Sequence, residues 1–254
     1  MTRRKRAVAI YALYSIKGGV GKTATAVNLA YLSAFDGRKT LIIDIDPQGS
    51  TSFYFRIRAE NNFNRKKLLK GGQKISGNIK GTDYSNLDLL PSDMSFRNLD
   101  IALDTLRHSK RKLREIFQPL SDEYDQIFID CPPNITLVSE NIFKAADYIL
   151  VPLIPTTLSV RTYDKLQDFF RKKKLPGEKI WAFFSMAEIK KKLHRDILKQ
   201  HIGSSQHFIR TCIPYRSEIE KMGLTREPVV HTHPSSDGAS AYRALWNEIK
   251  QKCV

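Results

Sequence analysis

One short segment constrains this chain more than any other: Ile16-Lys17-Gly18-Gly19-Val20-Gly21-Lys22-Thr23, set between an apolar run at residues 7–14 and a stretch of helical spacing at Lys22–Phe35. A glycine-rich turn between strand and helix lets backbone N–H groups close on phosphate oxygens with no Cβ in the way. Gly18, Gly19 and Gly21 supply that freedom, and a helix opening at Lys22 turns its positive dipole end toward the phosphates. The strict pattern GxxxxGK[ST] would place glycine where Ile16 stands; the variant here is KGGxGK[ST], with an additional lysine, Lys17. Lys22 is placed to put an ammonium on the β- and γ-phosphates of a nucleotide, and Thr23 to offer a hydroxyl to Mg²⁺.

The rest of the chain alternates in the way such a turn requires. Helix Lys22–Phe35 carries Ala26, Leu29, Ala30 and Ser33 on one face, Asp36-Gly37 stops it, and an apolar strand follows at 40–43. Strand, helix and strand so close together form a βαβ unit, whose crossover makes the strands parallel. Further strands are expected at Leu87–Leu90, 126–129, 148–151 and Ile180–Phe184, with a last one at 208–213. Helices are expected at 97–106, 110–117, 139–146, 160–173, 193–201 and 240–251, and polar residues 60–82 read as surface helix and loop. The fold class is α/β: a doubly wound, mostly parallel sheet, P-loop NTPase-like, in three layers α/β/α. Residues 7–254 read as a single domain behind a basic tail at 1–6. At 254 residues with 41% apolar side chains, a full core needs no staples.

Two more strand ends bear carboxylates. Asp44-Ile45-Asp46-Pro47-Gln48-Gly49 follows the second strand, and Phe128-Ile129-Asp130-Cys131-Pro132-Pro133 closes another. Open parallel sheets bind ligands at this edge. A carboxylate there can orient an attacking water or hold the water shell of a metal; Asp44 and Asp130 join Thr23 as candidate metal-side groups. Cys131 reads as a small packing residue, and Trp181 and Trp246 as core. The three cysteines, Cys131, Cys212 and Cys253, lie too far apart for a CxxC or zinc spacing, which points to a reducing cytoplasm. His231 and His233 have no supporting ligands nearby.

Charge separates the function classes. Lys+Arg 42 against Asp+Glu 26 gives +16, and residues 165–226 hold 15 basic against 6 acidic side chains, a net +9. Such a balance favours polyanions, nucleic acid first and an anionic membrane second. A membrane-spanning stretch is not expected.

Taken together, KGGVGKT (17–23), DIDPQGS (44–50), IDCPP (129–133), AADYILVPLIP (145–155) and HPSSDGASAY (233–242) resemble the ParA/MinD superfamily of deviant-Walker ATPases, and its ParA branch most closely. The resemblance runs from about residue 7 to 249 and matches the short forms, without an N-terminal helix-turn-helix. It implies ATP and Mg²⁺ as cofactors, bound by Gly18 through Ala24, and a sandwich homodimer formed on ATP. Lys17 would reach the partner subunit's phosphates, Lys22 its own, and Asp46 would activate the water. Pro214 and Tyr215 match the adenine wall. Lys190, Lys191, Lys192, Arg195, Lys199, Arg216 and Lys221 fall in the region assigned to non-specific double-stranded DNA. A ParB-like or other activating adaptor, and a cytoplasmic, nucleoid-associated location, complete the expectation. A MinD-like membrane-cycling ATPase would need a further amphipathic helix, for which 245–254 leaves no room. A metabolic ligase relative would not need the basic region, and a nitrogenase-reductase-type relative would need a pair of cluster-ligating cysteines, for which the spacing offers no second candidate near Cys131.

Overall fold

The computed structural model describes residues 8–203 and 205–253; the basic tail at 1–6 lies outside the described residues. One seven-stranded sheet organises the chain: β1 Ala9–Leu13, β2 Thr40–Asp44, β3 Lys80–Gly81, β4 Leu87–Leu90, β5 Gln126–Asp130, β6 Tyr148–Leu153 and β7 Ile180–Phe184, in the order β3-β4-β2-β5-β1-β6-β7. Only β3 runs antiparallel, pairing Lys80 with Leu89 at the edge. The register sets Leu13 and Asp44 on either side of Asp130, so three strand ends finish level.

Helices cover both faces. They are α1 Lys22–Phe35, α2 Ser50–Tyr54, α3 Arg65–Lys70, α4 Gln73–Ser76, α5 Leu99–Asp104, α6 Lys112–Phe117, α7 Leu137–Ala145, α8 Thr157–Lys172, α9 Lys192–His201, α10 Ser217–Glu220, α11 Met222–Thr225, α12 Val229–Thr232 and α13 Asp237–Lys252. Strand residues sort between the faces with the period of two that a pleat imposes. Ala12, Tyr14, Leu41, Ile43, Ile127 and Ile129 pack with α3 and α5 to α9; Tyr11, Leu13, Ile42 and Phe128 pack with α1, α12 and α13. Burial on both sides is why these strands read as unbroken apolar runs. The three-layer α/β/α class is therefore as expected.

Helix α1 is buried on more than the one face its spacing suggested, with Thr25, Val27 and Asn28 also enclosed. The reason is α12 and α13, which cover its second side; Asn28 receives the Val230 N–H at 3.2 Å and gives its own amide to the Ala24 carbonyl.

Three expectations need correction. Residues 208–213 form no strand: Ile209 and Ile213 bond to the Ala182 and Phe184 carbonyls of β7, but Arg210 and Thr211 give their N–H groups to the Glu248 carboxylate of α13, at 2.8 and 2.9 Å. The stronger, charged acceptor interrupts the ladder. Residues 60–82 are not merely surface, because Phe63, Leu68 and Ile75 are buried and cap the sheet near β4, and β3 closes its edge. Trp246 is core, whereas Trp181 is half-buried, with the Lys252 ammonium over its ring.

Candidate nucleotide site

Gly18, Gly19, Gly21, Lys22, Thr23, Ala24 and Asp46 line a cleft of about 490 Å³ at the C-terminal ends of the strands. The turn is built as its glycines suggested. Gly21 adopts φ 89° as the N-cap of α1, and no side chain caps that helix or places a carboxylate in its first turn. The first N–H groups of α1 thus keep their capacity for an anion. A Cβ at Gly21 would come to 2.9 Å from Ser185 Oγ. Gly21→Ala combines that contact with a backbone conformation that costs a non-glycine residue about 1–3 kcal/mol. Its Tm should fall by several degrees in a thermal melt, with nucleotide affinity lower in parallel; wild-type values for both would contradict this role for Gly21.

Lys22 is almost enclosed, 7% exposed, while Lys17 is exposed and does not line the cleft. Val20 is buried and also lies off the cleft, so it can contribute only its backbone. Ile16 packs half-buried against the core. An exposed lysine that does not line its own cleft is free to act elsewhere.

The two buried carboxylates stand side by side on adjacent strand ends. Asp130 Oδ2 accepts hydrogen bonds from Thr23 Oγ1 and Thr51 Oγ1, both at 2.8 Å. Asp44 Oδ2 accepts from the Ser52 N–H at 2.9 Å and from Ser52 Oγ at 2.7 Å. The second oxygen of each carboxylate is buried with no partner. Burial pushes both acids above the ordinary carboxylate range, and Asp130's charge adds to the rise at Asp44. The Thr23 and Thr51 hydroxyls and the Lys22 ammonium pull Asp130 back down. Two buried acids with one unused oxygen apiece are a seat for positive charge. Among the described residues no cluster of three or more His, Cys, Asp or Glu could hold a metal by itself. That suits Mg²⁺, which takes one or two carboxylates and completes its octahedron with water and phosphate oxygens. Thr23 lines the cleft and donates to Asp130, which is buried directly behind it, so these two would stand on the metal's side; Asp44, held by Ser52, lies on the adjacent strand end.

Asp46 stands apart from this pair. It lines the cleft, accepts the Gln48 N–H at 3.0 Å, and its carbonyl takes Ser92 Oγ and the Gly49 N–H. A half-exposed carboxylate on a braced turn facing the cleft is placed to orient water. Pro214 and Tyr215 form the far wall with Ile213, Ile219 and Tyr242. Cys131 is free and buried, its thiol pushed well up by burial.

The basic residues divide. Lys190, Lys191, Lys192, Arg195, Lys199 and Lys221 are exposed, and Lys192, Arg195 and Lys199 share one outward edge of α9 by their spacing of three and four. Arg195 is also a brace, donating to the Ile189 and Lys190 carbonyls at 2.9 and 3.0 Å. Arg216 is exposed as well, but it also lines the cleft rim and pairs with Asp237 at 3.1 Å.

Sequence reading missed Thr51, Ser52, Tyr54, Ser185 and Tyr242. Thr51 and Ser52 had a signal, a run of hydroxyls after Gly49 where a helix opens, and Ser185 follows directly on a strand end. Tyr242 ends the HPSSDGASAY stretch, but nothing in that stretch marks it for the cleft, to which α13 brings it from far along the chain.

A family model described as an AAA domain matches residues 8–176. Over 245 residues the chain is 27% identical to the chromosome partitioning protein ParA of Myxococcus xanthus, covering 93% of this chain and 86% of that one. It is 27% identical over 248 residues to the sporulation initiation inhibitor protein Soj of Bacillus subtilis, covering 94% and 97%. A solved structure of a plasmid partition protein of Borrelia burgdorferi B31 bound to AMPPNP superposes with a TM-score of 0.84 at 26% identity, over 96% of this chain and 99% of that one. With the glycine turn, the paired carboxylates and the braced aspartate in place, this chain belongs to the AAA-domain family and, by relatives that span almost its whole length, to the ParA/MinD family of ATPases.

Proposed function

We propose that this ATPase is a partitioning or positioning protein that dimerises on Mg-ATP, holds double-stranded DNA without sequence preference, and is released when an adaptor, ParB-like or other, stimulates hydrolysis. The observation that carries it is a shared backbone ladder. Ala187 donates to the Ile213 carbonyl and receives the Tyr215 N–H, both at 3.0 Å. The cleft wall at Pro214 and Tyr215 is thereby joined to the turn that holds Lys190, Lys191 and Lys192. A nucleotide pressed on that wall can set the position of the basic turn, so that DNA affinity follows the nucleotide state.

In this reading Lys22 neutralises the β- and γ-phosphates of its own nucleotide, and Lys17 those of the partner subunit. Mg²⁺ bound beside Thr23 and Asp130 would draw charge from the terminal phosphates. Asp46 orients the attacking water. The M. xanthus relative is a chromosome partitioning protein and the B. burgdorferi one a plasmid partition protein; both support a cytoplasmic, nucleoid-associated role. The test is a band shift with a long duplex: binding should be strong with ATP and weak with ADP, and equal binding in the two states would overturn the coupling.

Asp46→Ala should still bind ATP and accumulate as a dimer by light scattering, with phosphate release lowered about 10²-fold or more. A variant that hydrolyses normally, or stays monomeric with ATP, would show that Asp46 has another role.

A further inference from the structure

Between α3 and α5 lies a groove of about 540 Å³ that shares no residue with the nucleotide cleft. Its floor is apolar, built from Leu69, Leu106 and Ile101, and Ile101 is 68% exposed. Its rim is cationic: Arg65, Lys66 and Lys70 all come from α3. No Asp or Glu lines the groove, and among the described residues none of the three cations has a carboxylate partner. Like charges four residues apart on a helix, as Lys66 and Lys70 are, repel one another. The groove thus offers two unmet needs at once, apolar surface to be covered and positive charge to be neutralised.

We infer that this groove receives an acidic amphipathic helix of a partner protein. A helix laid into a groove fills it with side chains spaced i, i+3, i+4 and i+7, while its flanking carboxylates meet the rim. Other occupants match less well. Duplex DNA would satisfy the cations but bring nothing to cover Ile101 and Leu106. A bilayer is engaged by apolar side chains that project, and a concave floor presents the opposite shape. The chain's own segment Thr2-Arg3-Arg4-Lys5-Arg6 has the wrong sign. In a second copy the pair Glu218 and Glu220 lies on α10, a helix of 4 residues, too short to span the groove.

The test uses the full chain with Mg-ATP and a fluorescein-labelled peptide of about 18 residues, long enough to be helical. Its leucines follow the i, i+3, i+4, i+7 spacing and glutamates occupy the remaining faces. A second peptide has the same composition with the leucines scattered. Anisotropy should show binding of the first and at least tenfold weaker binding of the second. Lys66→Glu with Lys70→Glu, and separately Ile101→Glu, should each weaken the first peptide about tenfold or more, with unchanged melting curves and ATP turnover. Equal binding of the two peptides, no binding, or indifference to these substitutions would overturn the inference. It would also fail if Lys66→Glu with Lys70→Glu abolished duplex binding while Ile101→Glu left it intact, since the surface would then be a phosphate track. Loss of flotation on phosphatidylserine vesicles in both variants would instead make it a membrane face. The peptide and vesicle readouts are separate from the ATP-dependent band shift, and a loss of duplex binding in the lysine variant would relocate the DNA surface without touching the nucleotide cleft, so failure here leaves the reading of that cleft standing.

Discussion

Lys22→Ala should lose ATP binding: isothermal titration with ATP and Mg²⁺ is expected to show affinity down by at least two orders of magnitude. Lys22 opens α1 at the cleft, almost wholly enclosed. A charge-assisted hydrogen bond of an ammonium to a phosphate is worth roughly 1.5–3 kcal/mol, or about 10- to 150-fold, and this side chain can reach two phosphates. The same ammonium steadies the Asp130 carboxylate, so its removal also leaves the buried acids with less counter-charge. A thermal melt separates the two effects. A folded variant without ATP affinity is the expected result, and a folded variant with wild-type affinity would remove the assignment of the glycine turn. Lys22→Arg should rescue little, because a planar guanidinium does not replace a point charge in an enclosed seat.

Much of this site is legible in the sequence because its parts are adjacent along the chain. The turn at 16–23, the aspartate at 46 and the strand-end Asp130 each occupy a position whose chemistry follows from one strand and its neighbouring loop. Two kinds of information are absent there. Spacing does not show that Lys22 is enclosed in the cleft while Lys17, five residues before it, is exposed and off the cleft, because that depends on the φ of 70° at Gly19 and 89° at Gly21. Nor does it show that Asp130 is held by Thr23 and Thr51 together, a pairing between residues 107 and 79 positions away.

The fold shows the same division. Strands buried on both faces announce themselves as apolar runs, and β4 and β7 fall where those runs stand. Residues 208–213 fail as a strand for a reason outside their own composition: Glu248, on the closing helix, captures the Thr211 N–H, the donor that lies between the Ile209 and Ile213 bonds to β7. Residues 60–82 look polar by average, yet Phe63, Leu68 and Ile75 sit among the lysines and turn inward. Composition averages over a segment; burial is decided residue by residue, by what lies beneath.

With ATP, affinity for a long duplex should fall on the order of 10³-fold between about 50 and 200 mM salt, if each subunit of the dimer neutralises about three phosphates. Each neutralised phosphate releases counterion and contributes about −0.9 to the slope of log K against log[salt], which gives about −5 for the dimer. The structure guides the choice of substitutions. Arg195 braces the turn through two carbonyls and Arg216 pairs with Asp237 beside the cleft, so changing either would disturb more than charge. Lys190, Lys192 and Lys199 are exposed, and no ion pair ties them among the described residues. Lys190→Glu with Lys192→Glu and Lys199→Glu should weaken binding alike on every sequence and flatten the slope by about 0.9 for each phosphate no longer neutralised. ATP-driven dimerisation, followed by light scattering, should persist, because none of the three lines the nucleotide cleft. Strong preference for one sequence would point to base readout instead of phosphate neutralisation, and an unchanged slope in the triple variant would move the DNA surface away from α9.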